Sequence, residues 1–220
     1  VEILAYALFA MMAYLLGSIP SGYIAGLARG IDIRAMGSGN IGATNTFRIL
    51  GKRAGSAVLA ADALKGFLAC WFAGWAGPTL LAHDPARALE VKEWFQITAG
   101  FAAILGHNYT LWLQFKGGKG IATTAGVLLA LLPVVLAIAL GTWIVVVLLS
   151  RYVSVASLAA AVSLAPAAWF TGCSHRLVIV SAFMGALAIY KHKTNIHRLL
   201  AGTENRLRFR KSGAPQEAQP

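Results

Sequence analysis

Acidic side chains are scarce in this sequence: eight Asp and Glu stand against nineteen Lys and Arg. They are Glu2, Asp32, Asp62, Asp84, Glu90, Glu93, Glu204 and Glu217, and none beside the cation-rich stretches forms a pair. Magnesium is clamped by carboxylate oxygens. Metal-dependent nucleotide and CDP-alcohol transfer are therefore disfavoured, and no metal or other cofactor is expected. Cysteine is rarer still. Cys70 and Cys173 lie in separate apolar stretches without metal-ligand spacing and read as buried thiols, with no disulfide. HExxH and GxSxG are absent, and no His has Asp five positions later, which removes the HxxxxD acyltransferase signature. The start of the chain has no basic segment ahead of its apolar run, so that run reads as a retained span rather than a cleaved signal. Because the chain begins at Val1, an initiator or short leader is expected ahead of it.

Long polar tracts are missing as well. The chain is 58% hydrophobic and 12% charged, with mean hydropathy +0.67, which excludes an ordinary soluble domain. The net charge of +11 sits beside apolar runs, so it points to anionic lipid or phosphorylated substrates and not to nucleic acid. Apolar runs cover roughly 3–28, 54–76, 94–112, 121–150, 153–170 and 176–190. A helix of about 20 residues crosses a bilayer. Trp94 and Trp112 bracket the third run as interfacial anchors would. If the polar motifs face the cytoplasm, only Arg87, Lys92 and Arg176 fall on the other side, with Lys65 inside a span. Lys119 and Arg151 then share a side only if the chain crosses an even number of times between them. The 121–150 run should therefore be a hairpin turning near Pro133 to Gly141. The expected fold is an all-α integral membrane domain over 1–205, with about seven transmembrane helices, N-terminus outside and C-terminus inside. A basic, then disordered, cytoplasmic tail is expected over 206–220. No internal repeat is evident. Pro20 and its small neighbours predict a kinked, tightly packed helix at 18–26.

What the chain does have is three polar, glycine-rich stretches: GSGNIGATNTFRILGK at 37–52, GHNYTLWLQFKGGKG at 106–120 and HKTNIHRLLAG at 192–202. Amides freed by glycine, beside fixed cations, make concave sites for phosphate. In the first, Gly37, Gly39 and Gly42 alternate with Ser38, Asn40, Thr44 and Asn45 ahead of Arg48. Asn45 or Thr46 is expected to cap a short helix carrying Arg48. In the second, Gly117 and Gly118 precede Lys119, the functional candidate, whereas His107 reads as structural. The spacing is not that of a nucleotide P-loop, because Gly120 and Ile121 follow Lys119. In the third, His192, Asn195 and Arg198 or Leu199 share a helix face, and His197 faces elsewhere. Asp62 and Lys65, three apart inside an apolar run, either pair with each other or contact substrate. Ser154 and Ser157 either bond a neighbouring helix or reach the site. Such a constellation binds phosphate and polarises a reaction whose leaving group is already good.

GSGNIGATN with Arg48, GHNYTLWLQFKGGKGIAT and HKTNIHRL closely resemble the signature stretches of bacterial acyl-phosphate:glycerol-3-phosphate acyltransferases, and RYVSVAS resembles a further family segment. The resemblance covers about 15–205. It implies a seven-helix enzyme of the bacterial inner membrane, working at the cytoplasmic face. Such an enzyme moves an acyl chain from acyl phosphate to the 1-hydroxyl of sn-glycerol 3-phosphate, giving lysophosphatidic acid and inorganic phosphate, the first acylation of phospholipid synthesis. The implied partners are acyl phosphate, glycerol 3-phosphate and membrane lipid, with a monomer as the working unit. Residues and resemblance together give Ser38, Arg48, Lys119, His192 and Asn195 as candidate catalytic residues. Gly37, Gly39, Asn40, Thr44, Asn45, Gly117, Gly118 and Ser157 are candidates for binding substrate and phosphate. The rival reading is a transporter of a small organic phosphate, built from the same elements.

Overall fold

The computed structural model describes residues 2–82 and 84–207. Val1 and the tail from Arg208 onward, including the expected disordered end, lie outside the described residues. Everything regular among the described residues is helical. Helix α1 (Glu2–Ser18) stops ahead of Pro20, and α2 (Ser21–Leu27) follows at once. The expected kinked helix over 18–26 is therefore a break. The residue before a proline is disfavoured in helical geometry, and Ile19 is left outside either helix.

Helix α3 (Ala43–Leu81) is interrupted at Gly51, whose φ of 81° and ψ of −177° are open essentially to glycine alone. The turn carrying Arg48 is thus a separate segment ahead of the long apolar part. Helix α4 (Pro85–Asn108) starts well before Trp94, because Asp84 caps it by accepting from the Arg87 amide and Pro85 takes the first position. Trp94 makes a contact within the bundle. Arg176 lies over its ring at 4.7 Å and pairs with Glu93 at 3.1 Å.

Helix α5 (Ile121–Leu131) ends at Leu132, and α6 (Pro133–Ser150) begins at the proline. The expected break in the 121–150 run falls at the near edge of the anticipated window. Helices α7 (Val153–Phe170), α8 (His175–Lys191) and the short α9 (Lys193–Leu200) complete the bundle. Four helical stretches among the described residues are long and apolar enough to cross a bilayer: Glu2–Leu27, Ala43–Leu81, Pro133–Ser150 and Val153–Phe170.

α1 packs on α4, α3 on α4 and α5, α6 on α7, and α7 on α8. Between apolar helices in lipid, close backbone approach supplies the cohesion that hydrophobic burial supplies in water. Here that approach is reciprocal. A Cβ on Gly17 would strike the Ala103 carbonyl and one on Gly106 the Tyr14 carbonyl; across the other seam, Gly66 faces Thr123 and Gly126 faces Ala63. One apolar cluster centres on Phe95, Ala73 and Ala103, and another on Val127, Leu128, Leu164 and Met184. Both cysteines are free, Cys70 buried and Cys173 half-buried.

Candidate active site

The three polar stretches meet at one end of the bundle, around a cavity of about 320 Å³. Ser38, Asn40, Thr44, Asn45, Arg48, Lys119, Ser157, His192 and Asn195 all line it, and Ser154, Arg198 and Glu204 join them. Lys119, ahead of α5, and Ser154, at the start of α7, share this wall, so α5 and α6 together lead out and back. The other end of the cavity is apolar, with Leu128, Leu136, Ala139, Ala160, Ala161 and Leu164 among its walls. Leu59 on α3 and Leu140 on α6 flank it and are exposed on the bundle surface.

The first loop is folded by a side chain, not capped by one. Asn45 Oδ1 accepts from the Ser38 amide at 2.9 Å, and its Nδ2 donates to the Ile33 and Met36 carbonyls. The residue at the N-cap of α3 is Gly42. The expected cap by Asn45 or Thr46 is therefore corrected: Asn45 spends its side chain closing the loop, and Thr46 bonds back to the Gly42 carbonyl. Gly37 and Gly39, both at positive φ, shape the loop without lining the cavity.

The second loop departs from expectation in the same direction. The amides of Gly117 and Gly118 donate to the Asn108 and His107 carbonyls at 3.3 and 3.0 Å. Neither glycine lines the cavity. Their lack of a side chain serves close approach, since a Cβ on either would fall on His107. What the loop presents to the cavity is the Lys119 side chain.

The electrostatics follow from which charges are already matched. Asp62 is buried and held by Lys65 at 2.9 Å, by the Ser21 hydroxyl at 3.0 Å and by His107 at 3.5 Å. Lys65 also donates to the Ile19 carbonyl at 2.8 Å, so these groups tie the α1–α2 break to α3 and α4. Glu204 accepts from Asn195 Nδ2 at 2.7 Å and from Arg198 Nε at 2.8 Å. Burial opposes its ionisation, but these bonds outweigh that and hold its carboxyl below the usual range. Among the described residues, neither Arg48 nor Lys119 forms an ion pair with a carboxylate. Burial, and then the positive Arg198 and Arg48, pull the Lys119 ammonium down to about 8. A cation destabilised by its own surroundings is a site for an incoming anion.

His192 donates from Nδ1 to the Ala188 carbonyl at 2.7 Å, which leaves Nε2 as the lone-pair nitrogen. Burial and the nearby Lys119 push the imidazole down to about 4. Asn195 is buried, and its Oδ1 has no hydrogen-bond partner among the described residues. Exposed His197 faces away. No cluster of three or more His, Cys, Asp or Glu gathers at metal-holding distance among the described residues.

The family model for glycerol-3-phosphate acyltransferase matches residues 7–202.

The chain belongs to the glycerol-3-phosphate acyltransferase family.

The enzyme of that name from Desulforudis audaxviator is 46% identical over 209 residues, covering 94% of this chain and 98% of its own. That of Aquifex aeolicus is 40% identical over 201 residues, covering 91% and 98%. A crystal structure of PlsY (YgiH), an integral membrane glycerol 3-phosphate acyltransferase in its glycerol 3-phosphate form, is similar with a TM-score of 0.81 at 38% identity. It covers 92% of this chain and 95% of that one. The lysophosphatidic acid form gives 0.78. This member of the acyltransferase family is accordingly an integral membrane protein.

Sequence reasoning passed over two residues at this site. Glu204 stands at the edge of an apparent tail, yet the chain returns: Asn205 and Leu207 line the cavity, and the Leu207 amide donates to the Arg151 carbonyl at 2.8 Å. Trp143 sits in an apolar run where an indole reads as lipid-facing. Its N–H instead donates to Ser157 Oγ at 3.2 Å. A lone acid near a basic helix is a signal for the first, and nothing local marks the second.

Proposed function

We propose that this protein transfers an acyl chain from acyl phosphate to the 1-hydroxyl of sn-glycerol 3-phosphate, giving lysophosphatidic acid and inorganic phosphate. The observation that carries this reading is the two-ended cavity. Arg48 and Lys119 leave one end positively charged, and the other is apolar between exposed Leu59 and Leu140. Acyl phosphate has the same division along its length, and glycerol 3-phosphate needs only the charged end. The related PlsY structures, in glycerol 3-phosphate and lysophosphatidic acid forms, support the acceptor and the acylated product.

The mixed anhydride brings its own leaving group, so the glycerol hydroxyl attacks the acyl carbon without an enzyme nucleophile. The bond from acyl carbon to phosphate oxygen breaks as the ester forms. Arg48 and Lys119 offset the charge that gathers on the departing phosphate. An imidazole at about 4 is a poor proton acceptor near neutrality. A phosphate, whose second ionisation lies at about 6, is a better one. The hydroxyl proton therefore goes to the donor phosphate, and His192 Nε2 and Asn195 Oδ1 orient the glycerol hydroxyls. Ser38, Asn40, Thr44 and Ser157 complete the polar wall. The site faces the cytoplasm of the bacterial inner membrane, in a chain of seven crossings with its N-terminus outside. A monomer is the proposed working unit.

The test is phosphate release by the detergent-solubilised protein given palmitoyl phosphate and glycerol 3-phosphate, with the lipid product followed by mass spectrometry. Stoichiometric lysophosphatidic acid and phosphate, dependent on both substrates, is the expected result. Folded protein that binds glycerol 3-phosphate but acylates nothing would return the transporter reading.

A further inference from the structure

Trp143 on α6 lines the cavity, half-buried, beside the buried Ser157 of α7. An indole nitrogen is a donor only, whereas a serine hydroxyl carries one donor and two acceptor positions. The Trp143 bond at 3.2 Å therefore occupies an acceptor position of Ser157 Oγ and leaves its single O–H proton to be placed elsewhere. A serine inside a helix ordinarily turns that proton back onto the carbonyl of the preceding turn. Here the oxygen is drawn across to α6, in the cavity that Arg48 and Lys119 also line. An anion held by those two cations is the acceptor that the proton can serve. The indole sits half-buried on a largely apolar helix whose other polar side chains, Thr142 and Ser150, bond back to their own helix, so its N–H needs a partner elsewhere.

We propose that Trp143 is a positioning residue: by donating to Ser157 Oγ it fixes that hydroxyl as a hydrogen-bond donor to the substrate phosphate. The proposal rests on the acyl-transfer reading above. It requires Trp143 to act through Ser157 and not through the bulk of its ring. Trp143→Phe keeps the ring and removes the N–H, which releases the Ser157 hydroxyl to rotate.

The experiment is a two-residue cycle of Trp143→Phe, Ser157→Ala and the double variant, each purified in detergent, with KM and kcat measured for glycerol 3-phosphate and for palmitoyl phosphate. Trp143→Phe should raise KM for one of the two phosphates roughly fivefold, the size of one hydrogen bond's net contribution, with kcat nearly unchanged. In the Ser157→Ala background the same substitution should have no further effect. Equal and independent effects of the two substitutions would overturn the proposal, as would an unchanged KM for both substrates. Should Trp143→Phe fail to fold, 15N-indole spectra of Ser157→Ala decide instead: one tryptophan N–H resonance must move relative to wild type, and none moving overturns the assignment. Failure of the acyl-transfer reading itself shows separately, as wild-type protein that makes no acylated product.

Discussion

Asn195 gives its amide nitrogen to Glu204 at 2.7 Å, and this bond fixes the orientation of the amide. With Nδ2 engaged, the buried Oδ1 is the atom left without a partner among the described residues, and in the proposed reaction Asn195 serves as an acceptor for a substrate hydroxyl. Glu204 also fixes Arg198 at 2.8 Å.

Glu204→Gln brings a donor where only an acceptor stood, and Asn195 can then present either end. We expect kcat/KM to fall by roughly 10- to 100-fold, the range for hydrogen bonds to charged groups, with the folded protein still recoverable from detergent. Wild-type kinetics in this variant would remove Glu204 from the positioning of Asn195.

Arg48→Ala and Lys119→Ala should each lower kcat/KM by roughly 10²-fold or more, since each removes a cation from the developing phosphate charge. Steady-state kinetics on both substrates checks this. Full activity in either variant would withdraw that residue from the site.

The pH profile separates the two titrating groups. Burial and neighbouring cations bring Lys119 down to about 8, and its charged form is the useful one. kcat/KM should therefore decline as pH rises through about 8, and Lys119→Arg should carry that decline to higher pH. His192 lies at about 4 and is neutral above that, so it contributes no acid limb near 6.5. Any limb near 6.5 that disappears in His192→Gln would contradict its assignment as a neutral orienting group.

Asp62 and Lys65 pair at 2.9 Å with both side chains buried. Removing one partner strands the other charge in the bundle. Asp62→Leu should lower stability by about 3–5 kcal/mol, and adding Lys65→Met should restore most of it. Thermal unfolding in detergent reads both steps; equal stability of the single and double variants would argue against the pair.

Gly126→Ala pushes a Cβ into the Ala63 carbonyl across the α3–α5 seam, an overpacking that should cost about 1–3 kcal/mol. Gly141→Ala, where a Cβ meets nothing within 4 Å, is the control and should leave the unfolding temperature unchanged or slightly raised. Similar behaviour of the two variants would mean that the seam yields.

The broad design was legible in the chain because it is carried by features that read locally. Glycine beside fixed cations marked the three loops, and the parity of charged ends required the break that falls at Leu132–Pro133. What escaped depended on contacts distant in sequence. Gly117 and Gly118 looked like free amides, and only the return of the loop onto the end of α4 shows their N–H groups engaged. Asn45 looked like a helix cap because cap residues are short and polar, but the positive-φ turn at Gly37 places the Ser38 amide within its reach. Trp143 and Ser157 are fourteen positions apart on different helices, and no periodicity in either run announces that they meet.

The exposed Leu59 and Leu140 beside the apolar end of the cavity bear on the route by which a fatty chain arrives. Lifting a chain out of a bilayer into water costs about 0.8 kcal/mol for each CH₂, or on the order of 12 kcal/mol for sixteen carbons. A cavity that meets hydrocarbon sideways makes that desorption unnecessary. On the proposed acyl transfer, the soluble glycerol phosphate travels to the lipid, and the acylated product leaves sideways into the bilayer.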